Sequence, residues 1–380
     1  MLLSATSLSR ATWMKPSPPS GNTSNHEPSA ESTASPFFPI PTSTVLWTDS
    51  YGSPPQSGNK SSNGEILLSP TVMPNSLKIA AVFATMNRKE TALACLRSLS
   101  AQTRPPDLVV IADNLSNDGT AIALENLPSL PFPLIVHRMK ENRGNAGGIE
   151  EAMELAFSNS NAASAVWILD DDSWPRPDAL AELLVPPWRD DQVRHSIQID
   201  PISKDLTWPM QVKTTPTGWH VVHSLDEIEI MPIVETRNNW TGSLVPRQVR
   251  DQIGPVLGDL FIRGEDEEYP WRFAQAGITQ IAVIGSALDH PGPPELRHTQ
   301  LFGKTIYFEP GLADWKLYYK IRNMVWLQRR KRGLLAAFTM LTAYLIIVSR
   351  FDGLSRVSLI LEAARDGLFS RLGRWSKHPT

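Results

Sequence analysis

The sequence predicts an α/β fold built on a mostly parallel central sheet with helices on both faces. Three observations carry this expectation. Strand-like runs alternate with helix-like ones, the strand-like runs are apolar throughout, and polar clusters follow them directly. Fully apolar strands belong to sheets covered on both faces, as in strand–helix–strand folds. In such sheets ligands bind beyond the carboxyl ends of the strands.

The elements follow in order. Of the first 50 residues, 25 are Ser, Thr or Pro, without strand or helix period. Such a segment buries too little apolar surface to offset its ordering entropy, so residues 1–75 read as disordered, with no apolar stretch of the signal-peptide kind. From Lys78 the pattern changes: 79–85 is an apolar run, and 89–101 is helix-like, with Leu93, Leu96 and Leu99 about one turn apart. Cys95 lies in that helix, where a buried small hydrophobe is expected. As the sole cysteine it excludes a disulfide framework and any cysteine-built metal centre. A second strand, 108–112, ends at Asp113 and is followed by the turn Asn117-Asp118-Gly119 and a helix from Thr120. A third strand at 134–137 leads to a Gly-rich loop and a helix over 149–157. The fourth strand, 165–169, runs into Asp170, Asp171 and Asp172. Residues 186–235 have no clean period. Beyond them an acidic cluster opens a helix reaching Ala276, a strand at 279–284 leads to His290, and the chain from Asp314 is mostly helical. The expected division is 1–75 disordered, 76–312 catalytic and 313–380 a basic helical region.

Charge narrows the function. A net charge of −3 argues against a dedicated nucleic-acid binder, and no apolar run is long enough for a polytopic membrane protein. Side chains alternate along an extended chain, so Asp170 and Asp172 share one side and Asp171 takes the other. Two carboxylates so placed repel unless a cation sits between them, and oxygen ligands suit Mg²⁺ or Mn²⁺. A solvated turn is the structural alternative for the same three residues. Asp113 stands either in an Asx-type turn or as an acceptor for a pyrimidine N–H. The loop Asn142-Arg143-Gly144-Asn145-Ala146-Gly147-Gly148 would bring backbone N–H groups near a nucleotide, but it has neither the dinucleotide nor the Walker spacing. Asp266 lies at a helix start, where the helix dipole alone favours carboxylates. His290 is either structural or the third member of an Asp/Asp/His metal set.

Taken together, residues 78–330 resemble the inverting family 2 glycosyltransferases of the Rossmann-like GT-A fold, closest to bacterial galactofuranosyl- and rhamnosyltransferases. The carriers are Thr85-Met86-Asn87-Arg88, Ala112-Asp113-Asn114 with Asp118-Gly119-Thr120, and Asn142 to Gly148. Asp170-Asp171-Asp172, Asp266-Glu267-Glu268-Tyr269 with Arg272, His290, and Tyr318-Tyr319 with Arg322-Asn323 complete them. The resemblance implies that Thr85, Arg88 and Asp113 hold the nucleotide, with Asn145 nearby and Asp171 on the donor side. It implies that Asp170, Asp172 and His290 bind Mg²⁺ or Mn²⁺ and that Asp266 is the general base. The donor would be a nucleotide-diphosphate sugar, and the acceptor a glycan or lipid-linked hydroxyl. Galactofuranosyltransferases commonly carry Trp before the paired acids; Gly264 stands there in this chain.

Residues 329–380 hold ten Lys/Arg against three Asp/Glu, a net +7. Within them 334–349 is mostly apolar and flanked by arginines, just short of the ~20 residues that span a bilayer. The expectation is a cytoplasmic enzyme whose tail lies on the anionic inner face of the cell membrane. A helical subdomain packed on the core is the alternative. Oligomeric state is not legible in the sequence.

Overall fold

The protein is described by a computed structural model over residues 77–378, apart from 217, 229, 238, 293–296 and 302–303. The disorder expectation for 1–75 falls outside these residues.

The parallel core forms where the apolar runs place it. Strand β1 (Ile79–Thr85) is followed by α1 (Lys89–Ser100), β2 (Leu108–Asp113), α2 (Thr120–Glu125), β3 (Leu134–Arg138), α3 (Gly144–Phe157) and β4 (Ala165–Ile168). β1 pairs in parallel with β2 and β4, and β2 with β3. Every residue of β1 is buried. Its alternate side chains feed two separate cores: Ala80, Val82 and Ala84 face Ile149, Ala152 and Met153 of α3, while Ile79, Ala81 and Phe83 face Cys95, Leu96 and Leu99 of α1. Burying a side chain such as Phe83 contributes about 1.5–3 kcal/mol.

The second half departs from an all-parallel sheet. It comprises β5 (Trp174–Pro175), α4 (Ala179–Leu183), β6 (Gln192–Ile199), β7 (Met210–Lys213), β8 (Trp219–Val222), β9 (Ile233–Arg237), β10 (Ser243–Pro246) and α5 (Arg247–Ile253). Then come α6 (Glu265–Gln275), β11 (Thr279–Asp289) and the hairpin β12 (Arg297–Leu301)–β13 (Lys304–Phe308). The sheet runs β3-β2-β1-β4-β10-β6-β11-β9-β7-β8, with β5 beside β11. β10 is antiparallel to both β4 and β6, whereas β11 is parallel to β6. The carboxyl ends of β4, β6 and β11 therefore share one edge. The period of 186–235 was hidden because β6 buries polar residues. The Arg194 guanidinium donates to the carbonyls of Leu183 and Val185 at 2.8 and 2.7 Å. The His195 ring meets the Ser243 hydroxyl at 2.8 Å, and Ser196 meets Ser286 at 2.7 Å.

The helical region continues as α7 (Asp314–Arg332), α8 (Leu334–Phe351) and α9 (Val357–Leu368), which share one core with residues 260–261 of the loop before α6. α8 runs two residues past the apolar stretch read in the sequence, and is the one helix among the described residues long and apolar enough to cross a membrane. Only one side of it is covered. Ala337, Met340, Ala343, Tyr344, Ile347 and Val348 are buried, while Leu334, Leu335, Phe338 and Ile346 are exposed.

α3 begins at Gly144, five residues before the helix the sequence outlines. The Gly-rich stretch is the helix's first turn rather than a loop before it, because the Asn142 side chain accepts from the Gly144 N–H at 2.8 Å. Gly148 allows this turn to press on the sheet: a Cβ there would lie 2.6 Å from Ala84 Cβ and 2.9 Å from Asn114 Nδ2. Gly148→Val should therefore cost about 1–3 kcal/mol, measured by urea unfolding, without altering the helix content of the folded state.

Candidate active site

Thr85 ends β1, Asp113 ends β2, and Asp170–Asp172 follow β4, so one sheet edge gathers these carboxylates. The extended course expected from the sequence is not what forms: Asp170–Ser173 is a turn, closed by the Ser173 N–H on the Asp170 carbonyl at 3.1 Å, yet it still parts Asp171 from the other two acids. Asp171 turns to the β1 side, accepting from the Thr85 hydroxyl at 2.7 Å and pairing with Arg88 at 3.0 Å. Asp170 and Asp172 face the opposite way, with His290 Nε2 at 3.8 and 3.7 Å. One ligand atom from each of Asp170, Asp172 and His290 lies within 4.8 Å of the others. Two carboxylate oxygens and an imidazole nitrogen so grouped fit Mg²⁺ or Mn²⁺. Thr241, delivered by the antiparallel course of β10, donates to Asp170 at 2.5 Å. Arg88 also reaches Asp172 at 2.8 Å and spans the two sides of the cluster.

Electrostatics follow the contacts. Burial works against the charge on Asp170, yet His290 and Thr241 hold it below the usual carboxylate range. Burial likewise works against the His290 imidazolium, but Asp170 and Asp172 hold it above its ordinary value. For Asp171 burial wins, pushing it up to about 7 against the pull of Arg88. Arg88, partly buried, is itself raised by the acids around it. These two directions disagree for one ion pair. The 3.0 Å contact, with Thr85 donating to the same carboxylate, favours the charged pair.

Asp113 makes the turn and more. Its Oδ1 accepts from the Ser116 N–H at 3.2 Å, while Oδ2 is buried without a hydrogen-bond partner among the described residues. A carboxylate oxygen buried without a partner is uncommon in a folded protein.

Asp266 lies on the first turn of α6 and accepts from the Gly264 N–H at 2.9 Å. Asn145 sits across from it on α3, and its amide donates to Glu265 at 3.2 Å. Glu268 does not face the site: it is buried and paired with Arg272 at 2.9 Å. Gly264 has φ +133°, and a Cβ there would stand 3.0 Å from Asn323 Cβ. A side chain at this position would therefore be strained by the backbone and crowded by α7.

A buried carboxylate and an Asp/Asp/His set thus lie at one edge of the sheet, with an acidic helix start near them. Residues 81–240 match the model of the family described as Glycosyl transferase family 2. The chain carries a family 2 glycosyltransferase domain. It is 24% identical over 291 residues to galactofuranosyltransferase GlfT1 of Mycolicibacterium smegmatis, covering 72% of this chain and 91% of that protein. The corresponding enzyme of Mycobacterium tuberculosis is 26% identical over 290 residues, covering 72% and 90%. Among solved structures it is similar to the mannosyltransferase PcManGT of Pyrobaculum calidifontis, in complex with GDP-Man and Mn²⁺, at 16% identity and TM-score 0.44, covering 80% and 90%.

Sequence reasoning passed over two parts of this glycosyltransferase. Thr241, whose hydroxyl donates to Asp170, lies between the patternless 186–235 and the acidic cluster, and no local signal marks it. Glu265 was read only as one of four acids, yet it is buried, with Oε2 lacking a partner among the described residues. Burial, with Asp266 beside it, pushes Glu265 up to about 8.

Two outcomes follow. Asp172→Ala should abolish the Mn²⁺-dependent part of UDP binding in calorimetry, while His290→Ala, which leaves both carboxylates, should only weaken it. The second concerns pH. The Glu265 carboxyl moves from its ordinary 4.5 to about 8, so the native state keeps a proton that the unfolded chain releases. Its contribution to stability therefore falls as pH rises between those values. Glu265→Gln mimics the protonated form, and its thermal midpoint should drop less than that of the wild type between pH 5 and pH 8.

Proposed function

We propose that the protein is an inverting, metal-dependent glycosyltransferase that moves galactofuranose or rhamnose from a nucleotide-diphosphate donor to a hydroxyl of a cell-surface glycan or lipid-linked acceptor. The observation that carries this reading is the Asp170/Asp172/His290 group, with the acidic start of α6 near enough for Glu265 to feel the Asp170 charge. The galactofuranosyltransferases among the relatives support the sugar named first.

In this reading Asp113, Thr85, Arg88 and Asp171 line the nucleotide side, and Asn145 stands between it and α6. Asp170, Asp172 and His290 would hold Mg²⁺ or Mn²⁺, which when bound neutralises charge developing on the leaving diphosphate. The Asp266 carboxylate accepts the proton of the acceptor hydroxyl, whose oxygen then bonds to the anomeric carbon as the bond to the diphosphate breaks. One displacement inverts the configuration. The exposed apolar row on α8, beside a region of net +7, supports a peripheral contact with an anionic membrane face, where a lipid-linked acceptor resides.

The test is a donor screen with UDP-galactofuranose, dTDP-rhamnose and other sugar nucleotides, read by thermal protection in Mn²⁺ and by transfer. Protection by neither of the first two would remove the donor assignment. Asp266→Asn should lower transfer by ~10²–10⁴-fold, the usual contribution of a general base, with donor affinity nearly unchanged. A parallel loss of donor affinity would make Asp266 part of the donor site instead.

A further inference from the structure

The pair Arg322-Asn323 belongs to the sequence pattern but has no part in the chemistry above. Both side chains are buried in the middle of α7, at 1% and 0% exposure. Neither faces the sheet edge. The Asn323 amide donates to three backbone carbonyls of the segment before α6: Leu260 at 2.9 Å, Ile262 at 3.0 Å and Arg263 at 2.6 Å. The Arg322 guanidinium adds the carbonyls of Leu260 at 2.8 Å and Asp259 at 3.2 Å, and its Nε donates to the Asn323 side-chain oxygen at 2.8 Å. That last bond fixes which end of the Asn323 amide faces the loop.

The loop is held in a shape it would not adopt alone. Phe261 and Arg263 have φ of +66° and +64°, and Gly264 has +133°. Left-handed residues of this kind persist only where surroundings impose them. Here they turn the carbonyls of Leu260, Ile262 and Arg263 onto one amide. The carbonyl between them, of Phe261, points to α3 instead and accepts from the Ala146 N–H at 3.0 Å, while the Phe261 ring stacks on Tyr319 of α7 at 4.6 Å. The next residues in the chain are Gly264, Glu265 and Asp266.

We propose that Arg322 and Asn323 are positioning residues that set the place of Asp266 by clamping the loop at 259–263. The proposal rests on the reading of Asp266 as the base. Neither residue touches substrate. A displacement of the base by about an ångström costs up to ~100-fold in rate, so loss of the clamp acts on turnover and not on the donor side of the sheet.

The test compares Asn323→Ala with Met324→Ala, a buried neighbour on α7 outside the clamp. Backbone amide exchange at residues 260–266 should rise roughly tenfold or more in Asn323→Ala and stay near wild type in Met324→Ala once both are compared at equal distance below their unfolding temperatures. With UDP-galactofuranose and an alkyl galactofuranoside, kcat should fall about 10–100-fold while UDP affinity in Mn²⁺ stays within about twofold. The pH profile separates a moved base from a missing one: the acid limb persists in Asn323→Ala and vanishes in Asp266→Asn. Should Asn323→Ala not fold, Arg322→Lys, which keeps the charge and loses the fork, is read in the same way. Wild-type exchange at 260–266, or equal losses of turnover in Asn323→Ala and Met324→Ala, overturns the clamp. Normal transfer by Asp266→Asn overturns the base assignment instead. If wild type transfers no galactofuranose, that donor fails and the exchange result alone decides the clamp.

Discussion

Three carboxylates crowded into one turn repel each other, and the edge of the sheet is arranged around that repulsion. Asp170 and Asp172 stand near one imidazole, Asp171 and Asp172 share one guanidinium, and hydroxyls from two different strand ends donate to Asp170 and Asp171. None of these partners is a sequence neighbour of the acids. They are brought there by β1, by the turn into β10 and by the end of β11, so the register of the whole sheet is what makes the cluster tolerable.

The mixed course of the sheet has a purpose on this view. A purely parallel array would bring only carboxyl ends to the edge. Inserting one antiparallel strand, β10, between β4 and β6 brings an amino end among them and with it Thr241. The half of the site that holds the three aspartates is thus assembled from the sheet. The half bearing Asp266 is assembled from helices, with α3 on one side and α7 on the other. The two halves are held by different kinds of force: apolar burial on both faces of the strands, and side chains satisfying carbonyls in the loop.

What was legible in the sequence divides along the same line. β1 to β4 were readable because their runs are apolar throughout and end at polar clusters, whereas the turn at Asp170–Ser173 was not, and it is this turn rather than an extended chain that parts Asp171 from Asp170 and Asp172. β6 was not readable, since Arg194, His195 and Ser196 are buried there with partners far away in the chain. The early start of α3 was missed because glycines argue against helix until Ala84 and Asn114 are seen pressed against Gly148. Glu265 was passed over because a carboxylate at a helix start already has an explanation in the helix dipole, and only its burial marks it out. The helices of the tail were legible from composition, but their packing against the loop before α6 was not.

The clamp on that loop does not end at α7. Arg322 also donates to the Gly373 carbonyl at 2.5 Å, Gly373 in turn donates to the Asp259 carbonyl at 2.7 Å, and the Trp375 N–H meets the Tyr319 hydroxyl at 2.8 Å. On the ribosome these partners emerge long after the sheet they serve. The strands that gather Asp113 and the three aspartates have left the exit tunnel, and are free to pair, while α7 and the residues around 373 are still being made. A growing chain therefore passes through a stage in which the sheet edge is formed and the loop that precedes Asp266 is not. Completion of this end of the molecule is ordered by synthesis itself: the aspartates of the sheet come first, and the start of α6 is seated last.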